Sequence, residues 1–180
     1  MEFLDCVRRR RSVRQFTGEP VAHEKIERAV QAASYAPSWK NHQIARYLVI
    51  EDPALKERIA AECMMGRKYN AAIVRGAPAL VLVNIVTGLT GYAADGSFAT
   101  SKGDRWEMFD AGLAAQTFCL AAYDMGLGTV IMGVFDEDAV AGIVGLPAGR
   151  KVAALIAIGH PAEAPDMPRR KAAAELVMYR

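Results

Sequence analysis

Apolar positions in the first part of the chain recur at helical spacing. Residues 2–9 read as a short first helix, and 21–35 as a second in which Ile26, Ala29, Val30 and Ala33 follow an i, i+3, i+4, i+7 rule. Pro37 stops that helix, and the polar Ser38, Lys40, Asn41 and Gln43 form a loop before a β-rich run from Tyr47 to Glu51. Asp52 and Pro53 predict the N-cap and first position of a third helix that fades near Met65 or Gly66. Ala79 to Val86 is apolar at every position but Asn84, the pattern of a buried central strand.

The pattern then breaks. Residues 87–104 carry Gly88, Gly91, Gly96 and Gly103 among Thr, Ser and Asp, and read as a mobile cover over a site or as plain disorder. Trp106, Phe109, Leu113, Thr117 and Leu120 predict the longest helix, over 105–125, with that stripe against the core and Gly126 as its stop. A strand follows at Thr129 to Gly133, a short helix capped by Asp136, and a second buried strand at Val152 to Ile158. Pro161, Pro165 and Pro168 then make an extended arm, followed by Arg169, Arg170, Lys171 and an apolar end, Leu176 to Tyr179. An apolar strand after such an arm needs an edge to pair with, and the sheet of a second subunit offers one.

Composition narrows the class. At 180 residues and 19.5 kDa the chain predicts one domain over 1–180, and 52% hydrophobic against 23% charged residues exclude a disordered polymer. No apolar run approaches the roughly 20 residues that span a bilayer, and the Arg-rich start predicts no secretory signal. Cys6, Cys63 and Cys119 lie far apart, which predicts reduced thiols in a cytoplasmic protein, and neither they nor His23, His42 and His160 suggest a metal site.

Charge is local. The net charge is only +2, yet Arg8, Arg9, Arg10, Arg11 and Arg14 crowd the start of the chain and leave the remainder mildly acidic. A compact cluster fits a small anionic ligand better than a nucleic-acid backbone, with a solvated or membrane-surface run as the alternative. The P-loop and nucleophile-elbow motifs do not occur, and Gly126, Gly128 and Gly133 have neither the spacing nor the strand-then-helix context of a dinucleotide loop.

Two constellations carry candidate chemistry. Arg10, Arg11, Ser12 and Arg14 combine forked guanidinium donors with a hydroxyl, the donor set of a phosphate cradle. Pro37, Ser38, Trp39, Asn41 and Gln43 join two carboxamides, able to read the edge of a flat heterocycle, to an indole that can stack on it. A second reading of this loop stays open, in which it ends a helix and its polar groups serve only the backbone.

These stretches, with Asp110-Ala111-Gly112, Gly126-Leu127-Gly128, Gly159-His160-Pro161, Arg170-Lys171 and Glu175-Leu176-Val177, resemble the FMN-dependent nitroreductase family over nearly the whole chain. The resemblance implies an α+β fold: a central mixed β-sheet flanked by helices, in a short single-domain homodimer whose C-terminal arm, about 161–180, is exchanged between subunits. It implies an FMN-dependent NAD(P)H oxidoreductase that reduces nitroaromatics, quinones or similar electron-poor acceptors by ping-pong hydride transfer through the flavin, with NADH or NADPH as reductant. Arg10, Ser12 and Arg170 would hold the FMN phosphate, assisted by Arg11 and Arg169. Arg14 and Asn70 would face the pyrimidine edge, and the backbone of Met132 and Gly133 would approach the ring's N5 and O4. Pro37, Ser38, Trp39, Asn41 and Gln43 would come from the other subunit. No side chain is then required as catalytic acid, base or nucleophile, and neither nucleic acid nor membrane is a partner. Trp39 stands where a second small hydroxyl residue is common, Ile44 where a proline often follows, and Ile73 where some members carry a lysine. The alternatives are a specialised flavin enzyme of the same fold, such as a reductive dehalogenase or a flavin-consuming enzyme, or a non-enzymatic protein using the Arg cluster on nucleic acid or a membrane surface.

Overall fold

The computed structural model describes residues 2–180 and is built on four strands in the order β1-β2-β4-β3. These are β1 (Ala45–Ile50), β2 (Ala79–Val86), β3 (Gly128–Met132) and β4 (Arg150–Gly159). Every pairing among them is antiparallel. The sheet, expected to be mixed, is antiparallel; a single isolated parallel bridge joins Thr129 of β3 to Ser12, which belongs to no strand. Six α-helices surround it: α1 (Phe3–Arg9), α2 (His23–Ala33), α3 (Pro53–Glu62), α4 (Lys68–Gly76), α5 (Arg105–Asp124) and α6 (Glu137–Val144).

The period of two along the central strands divides the core into layers. Val81 and Val83 of β2 and Ile156 and Ile158 of β4 pack with Ile26 and Ala29 of α2 and with Phe118 and Ala122 of α5. Leu80, Leu82, Leu155 and Ala157 point the other way, into a cluster with Ile59 of α3, Val74 of α4 and Val140 of α6. Local signals set the ends as expected: Asp52 accepts from the Ala54 N–H and Asp136 from the Ala139 N–H. Helix α4 is not among the elements the apolar pattern predicts. Its buried residues, Ala71, Ile73 and Val74, are too few and too closely spaced to form a periodic signal.

Helix α5 corrects the expected orientation. Its buried face is Ala111, Ala114, Ala115, Phe118, Cys119 and Ala122, whereas Phe109 is 56% exposed and Met108 45% exposed. Trp106, Leu113, Thr117 and Leu120 are only half-buried. Small side chains let the helix lie close to the sheet, so the bulky stripe faces away from it. Helix α1 lies along that outer side, where the Cys6 thiol donates to the Leu120 carbonyl, and it leaves Phe3, Leu4 and Val7 exposed.

Backbone pairing also draws the two ends of the chain together. Val13 N donates to the Thr129 carbonyl at 3.0 Å, Thr17 N to His160 O and Ala162 N to Gln15 O, each at 2.9 Å. Phe16 bridges Pro161, so residues 12–17 are laid between β3 and the start of the C-terminal arm. Gly128 permits this approach, because a Cβ there would lie 2.8 Å from Val13 Cβ. Gly128→Ala is therefore expected to cost about 1–3 kcal/mol by overpacking. A thermal midpoint equal to the wild type's would show that the Val13 segment is not held against β3.

Candidate functional site

The pairing that joins the chain ends creates a cationic cleft of about 350 Å³ lined by Arg10, Arg11, Ser12, Arg14, Pro165, Asp166, Met167, Pro168 and Arg170. Arg10 sits at the C-cap of α1, Ser12 and Arg14 on the segment beside β3, and Arg170 on the arm. The arm is latched by Glu163, whose Oε1 accepts from Arg14 N at 2.6 Å and Gln15 N at 3.2 Å. Arg11 donates to the carbonyls of Arg8 and Arg10, and Arg14 to the carbonyl of Ser12. Among the described residues, Arg10 and Arg170 form no ion pair, so their donors are free for an anion. Four guanidinium groups against the single carboxylate of Asp166 suit a phosphate monoester, which carries about −1.5 to −2 at neutral pH.

The second constellation lies at a different cleft, of about 760 Å³, between α2 and the edge strand β1. Pro37, Ser38, His42 and Gln43 line it together with Ile26, Val30, Tyr47 and Asp110. The turn is tightly wound: Lys40, Asn41 and Gln43 all have positive φ (48°, 59° and 48°), a conformation non-glycine residues adopt at a cost. It is held by Asn41 N to Ser38 O, His42 N to Trp39 O and Gln43 N to Ser38 Oγ. Ile44, in the position where the resemblance expects a proline, is buried with Ile85 and Ala111 and pins the turn to the core. The carboxamides of Asn41 and Gln43 make no hydrogen bond within the described chain, so they do not merely serve the backbone. Trp39 Nε1 and His42 Nδ1 are buried without a partner among the described residues. Such orphaned groups carry a desolvation cost that a ligand or a second subunit would offset.

The first turns of α5 face both this turn and the segment 87–104. Glu107 accepts from Gly88 N at 2.7 Å, while Asp110 accepts from Trp39 N and from Thr90 Oγ1. Residues 87–104, expected as a mobile cover, are bonded internally: Ala93 N to Ser97 O, Ala99 N to Gly91 O, and Trp106 Nε1 to Thr100 Oγ1. Tyr92 and Phe98 pack with centroids 5.1 Å apart and planes tilted at 48°, and Gly91 crosses the Gly103 carbonyl so closely that any Cβ there would collide with it.

The remaining expected residues are dispersed within one chain. Asn70 is half-buried on α4, Met132 is buried at the end of β3 with Gly133 exposed beyond it, and Arg169 is exposed on the arm. None of them, nor Trp39 or Asn41, lines either cleft, and the two clefts share no residue. Ile73, at the lysine position of some relatives, is buried in the core. Glu163 and Glu107 are not among the residues the sequence singles out, and Asp110 enters there only within the Asp110-Ala111-Gly112 stretch of the resemblance. A carboxylate on the buried, otherwise small and apolar face of α5 is the signal that marks Glu107 and Asp110, whereas nothing local marks Glu163.

A model of the nitroreductase family matches residues 7–72 and 65–160. NADH dehydrogenase of Thermus thermophilus is 29% identical over 198 residues, covering 96% of this chain and 93% of its own. A Desulfovibrio desulfuricans protein, solved in complex with FMN, is 31% identical over 98% of this chain and 95% of that one, with a TM-score of 0.73. A nitroreductase family protein of Streptococcus pneumoniae shares the fold at a TM-score of 0.85 and 20% identity, over 99% of this chain and all of its own.

Burial pushes the Glu107 carboxyl above its usual range, against the opposing pull of the Gly88 N–H and Lys151. The folded chain thus keeps a proton that the unfolded chain has released, and stability falls as pH rises from the ordinary value of about 4.3 through the raised one. Glu107→Gln retains an acceptor for Gly88 and is expected to abolish that decline. Thermal midpoints that follow parallel pH curves in wild type and variant would contradict it.

Proposed function

The chain belongs to the nitroreductase family, and from that membership we propose an FMN-dependent NAD(P)H oxidoreductase that acts on nitroaromatic, quinone or similar electron-poor acceptors as a homodimer. The observation that carries this reading is the convergence of Arg10, Ser12, Arg14 and Arg170, from opposite ends of the chain, on one small cleft. FMN, when bound, would supply the hydride-transfer chemistry between a nicotinamide and the acceptor. The chain's work is to bind, orient and shield it.

Arg10, Ser12 and Arg170 are placed to hold the phosphate through charge-assisted hydrogen bonds. Arg11, turned back onto its own backbone, adds charge beside them, as does Arg169 from the arm. Arg14 and Asn70 are the candidates for the pyrimidine edge, where a cation favours the negative charge that reduction produces. Met132 and Gly133 would present backbone at the end of β3. Pro37, Ser38, Trp39, Asn41 and Gln43 would close the ring pocket from a second copy, a reading consistent with their distance from the cationic cleft, Pro37, Ser38 and Gln43 lining a separate one.

Three surfaces left uncovered in one protomer support the dimer. The outer faces of α1 and α5 expose Phe3, Leu4, Val7, Met108 and Phe109. The β1 edge is unpaired beside the larger cleft. The tail exposes Leu176, Val177, Met178 and Tyr179 after a single 3-10 turn at Ala173–Glu175. A two-fold related copy buries the helical faces against each other, and its arm can reach the open strand edge.

The purified protein is expected to sediment as two chains with two FMN and to lose its flavin absorption when mixed with NADH or NADPH without oxygen. A flavin that neither nicotinamide reduces would exclude this reaction class. Arg10→Ala is expected to weaken FMN binding by about 1.5–3 kcal/mol in a fluorescence titration. Wild-type affinity in that variant would refute the phosphate cradle.

A further inference from the structure

Asp110 is, with Glu107, one of two carboxylates on the face of α5 that otherwise buries Ala111, Ala114, Ala115, Phe118, Cys119 and Ala122. It is only 5% exposed. A carboxylate in such a place persists only where hydrogen bonds replace its water. Two donors do so here. Trp39 N reaches Oδ2 at 3.0 Å and Oδ1 at 3.3 Å, and the hydroxyl of Thr90, itself fully buried, reaches Oδ2 at 3.0 Å. An ionised carboxylate has acceptors only, so it can take an N–H from one segment and an O–H from another at the same time.

The contacts close into a ring. Trp39 leans on Trp106 with centroids 5.3 Å apart and planes at 52°, and Trp106 lies one helical turn before Asp110. Trp106 in turn donates to Thr100 Oγ1 at 3.0 Å and carries the Lys102 ammonium 4.7 Å above its ring. Thr100 and Lys102 belong to the same excursion as Thr90. The strained 38–43 turn and the 87–104 excursion therefore meet twice, once through the Asp110 carboxylate and once through the indole pair.

We infer that Asp110 is a positioning residue that locks the 38–43 turn to the 87–104 excursion, so that the two move as one wall of the acceptor entrance. The lock is a property of the fold alone, whereas its effect on acceptors rests on the flavin reading above. A carboxamide in place of Asp110 removes the charge that strengthens both bonds and, with its oxygen at the Oδ2 position, turns an N–H2 toward the Trp39 N–H that approached Oδ1, which loosens the turn. Removing the Thr90 hydroxyl alone frees the excursion while the Trp39 bond remains.

Both tryptophans of the chain lie in this contact, so tryptophan emission and near-ultraviolet circular dichroism report it directly. The test compares the full-length protein with Asp110→Asn and Thr90→Val, alongside kcat/KM for a one-ring and a two-ring quinone. Asp110→Asn is expected to lose the tryptophan-pair signal while keeping native far-ultraviolet dichroism. Thr90→Val is expected to keep the pair signal and to shift the two-ring to one-ring ratio of kcat/KM by about fivefold or more, mainly through KM. A wild-type tryptophan spectrum in Asp110→Asn overturns the lock. Should Asp110→Asn fail to fold, an unchanged quinone ratio in Thr90→Val overturns it instead. A wild-type protein that binds no flavin defeats the functional reading, and the tryptophan signal still decides the lock.

Discussion

Backbone hydrogen bonding of residues 12–17 to Thr129, His160 and Ala162 is the constraint on which the site depends. These bonds run between the end of the N-terminal arginine cluster and the start of the proline-rich arm. Without them, Arg10 and Arg170 would belong to two unrelated surface segments. Glu163 reinforces the seam by accepting two N–H groups from the same strand-like segment. The absence of a side chain at Gly128 makes room for it. The cationic cleft is thus a by-product of extending the sheet by one short segment, and its four guanidinium groups face an opening with only one carboxylate among its lining residues.

Helix α5 does three things with one amphipathic surface. Its alanines let it lie close to the sheet, its larger side chains turn outward with those of α1, and its first turns carry two buried carboxylates that hold neighbouring loops. Met108 and Phe109 on the outward side stay exposed in the protomer, and the separation of the two clefts is the other half of the same problem. In the proposed homodimer a second copy would resolve both at once, covering apolar surface and bringing a 38–43 turn toward a foreign cationic cleft. The strain in that turn, with three non-glycine residues at positive φ, is what a segment built to present side chains outward would show.

Much of the fold was legible because its signals are local. The apolar run of β2, the Asp52–Pro53 and Asp136 starts of α3 and α6, and the glycine after α5 all name their own elements. The face of α5 was not legible, since a stripe of large residues at helical spacing looks the same whether it meets its own sheet or another subunit. Helix α4 escaped for the opposite reason, with too short a buried pattern. The arginine cluster and the Pro37 to Gln43 loop could be singled out by donor chemistry. The Asp110–Trp39 and Glu163–Gln15 contacts could not, because they join residues 71 and 148 positions apart.

The amino-acid sequence by itself determined the elements, their caps, the candidate donors for a phosphate and the likeness to a family, since each of these is written in neighbouring residues or short motifs. Only the tertiary structure decided which donors share a cleft, which face of α5 is inside, and that the 87–104 segment is tied down to Asp110 and Glu107. Those outcomes depend on pairing and packing between distant parts of the chain, where the free energy of a contact belongs to both partners and neither one's local sequence announces it.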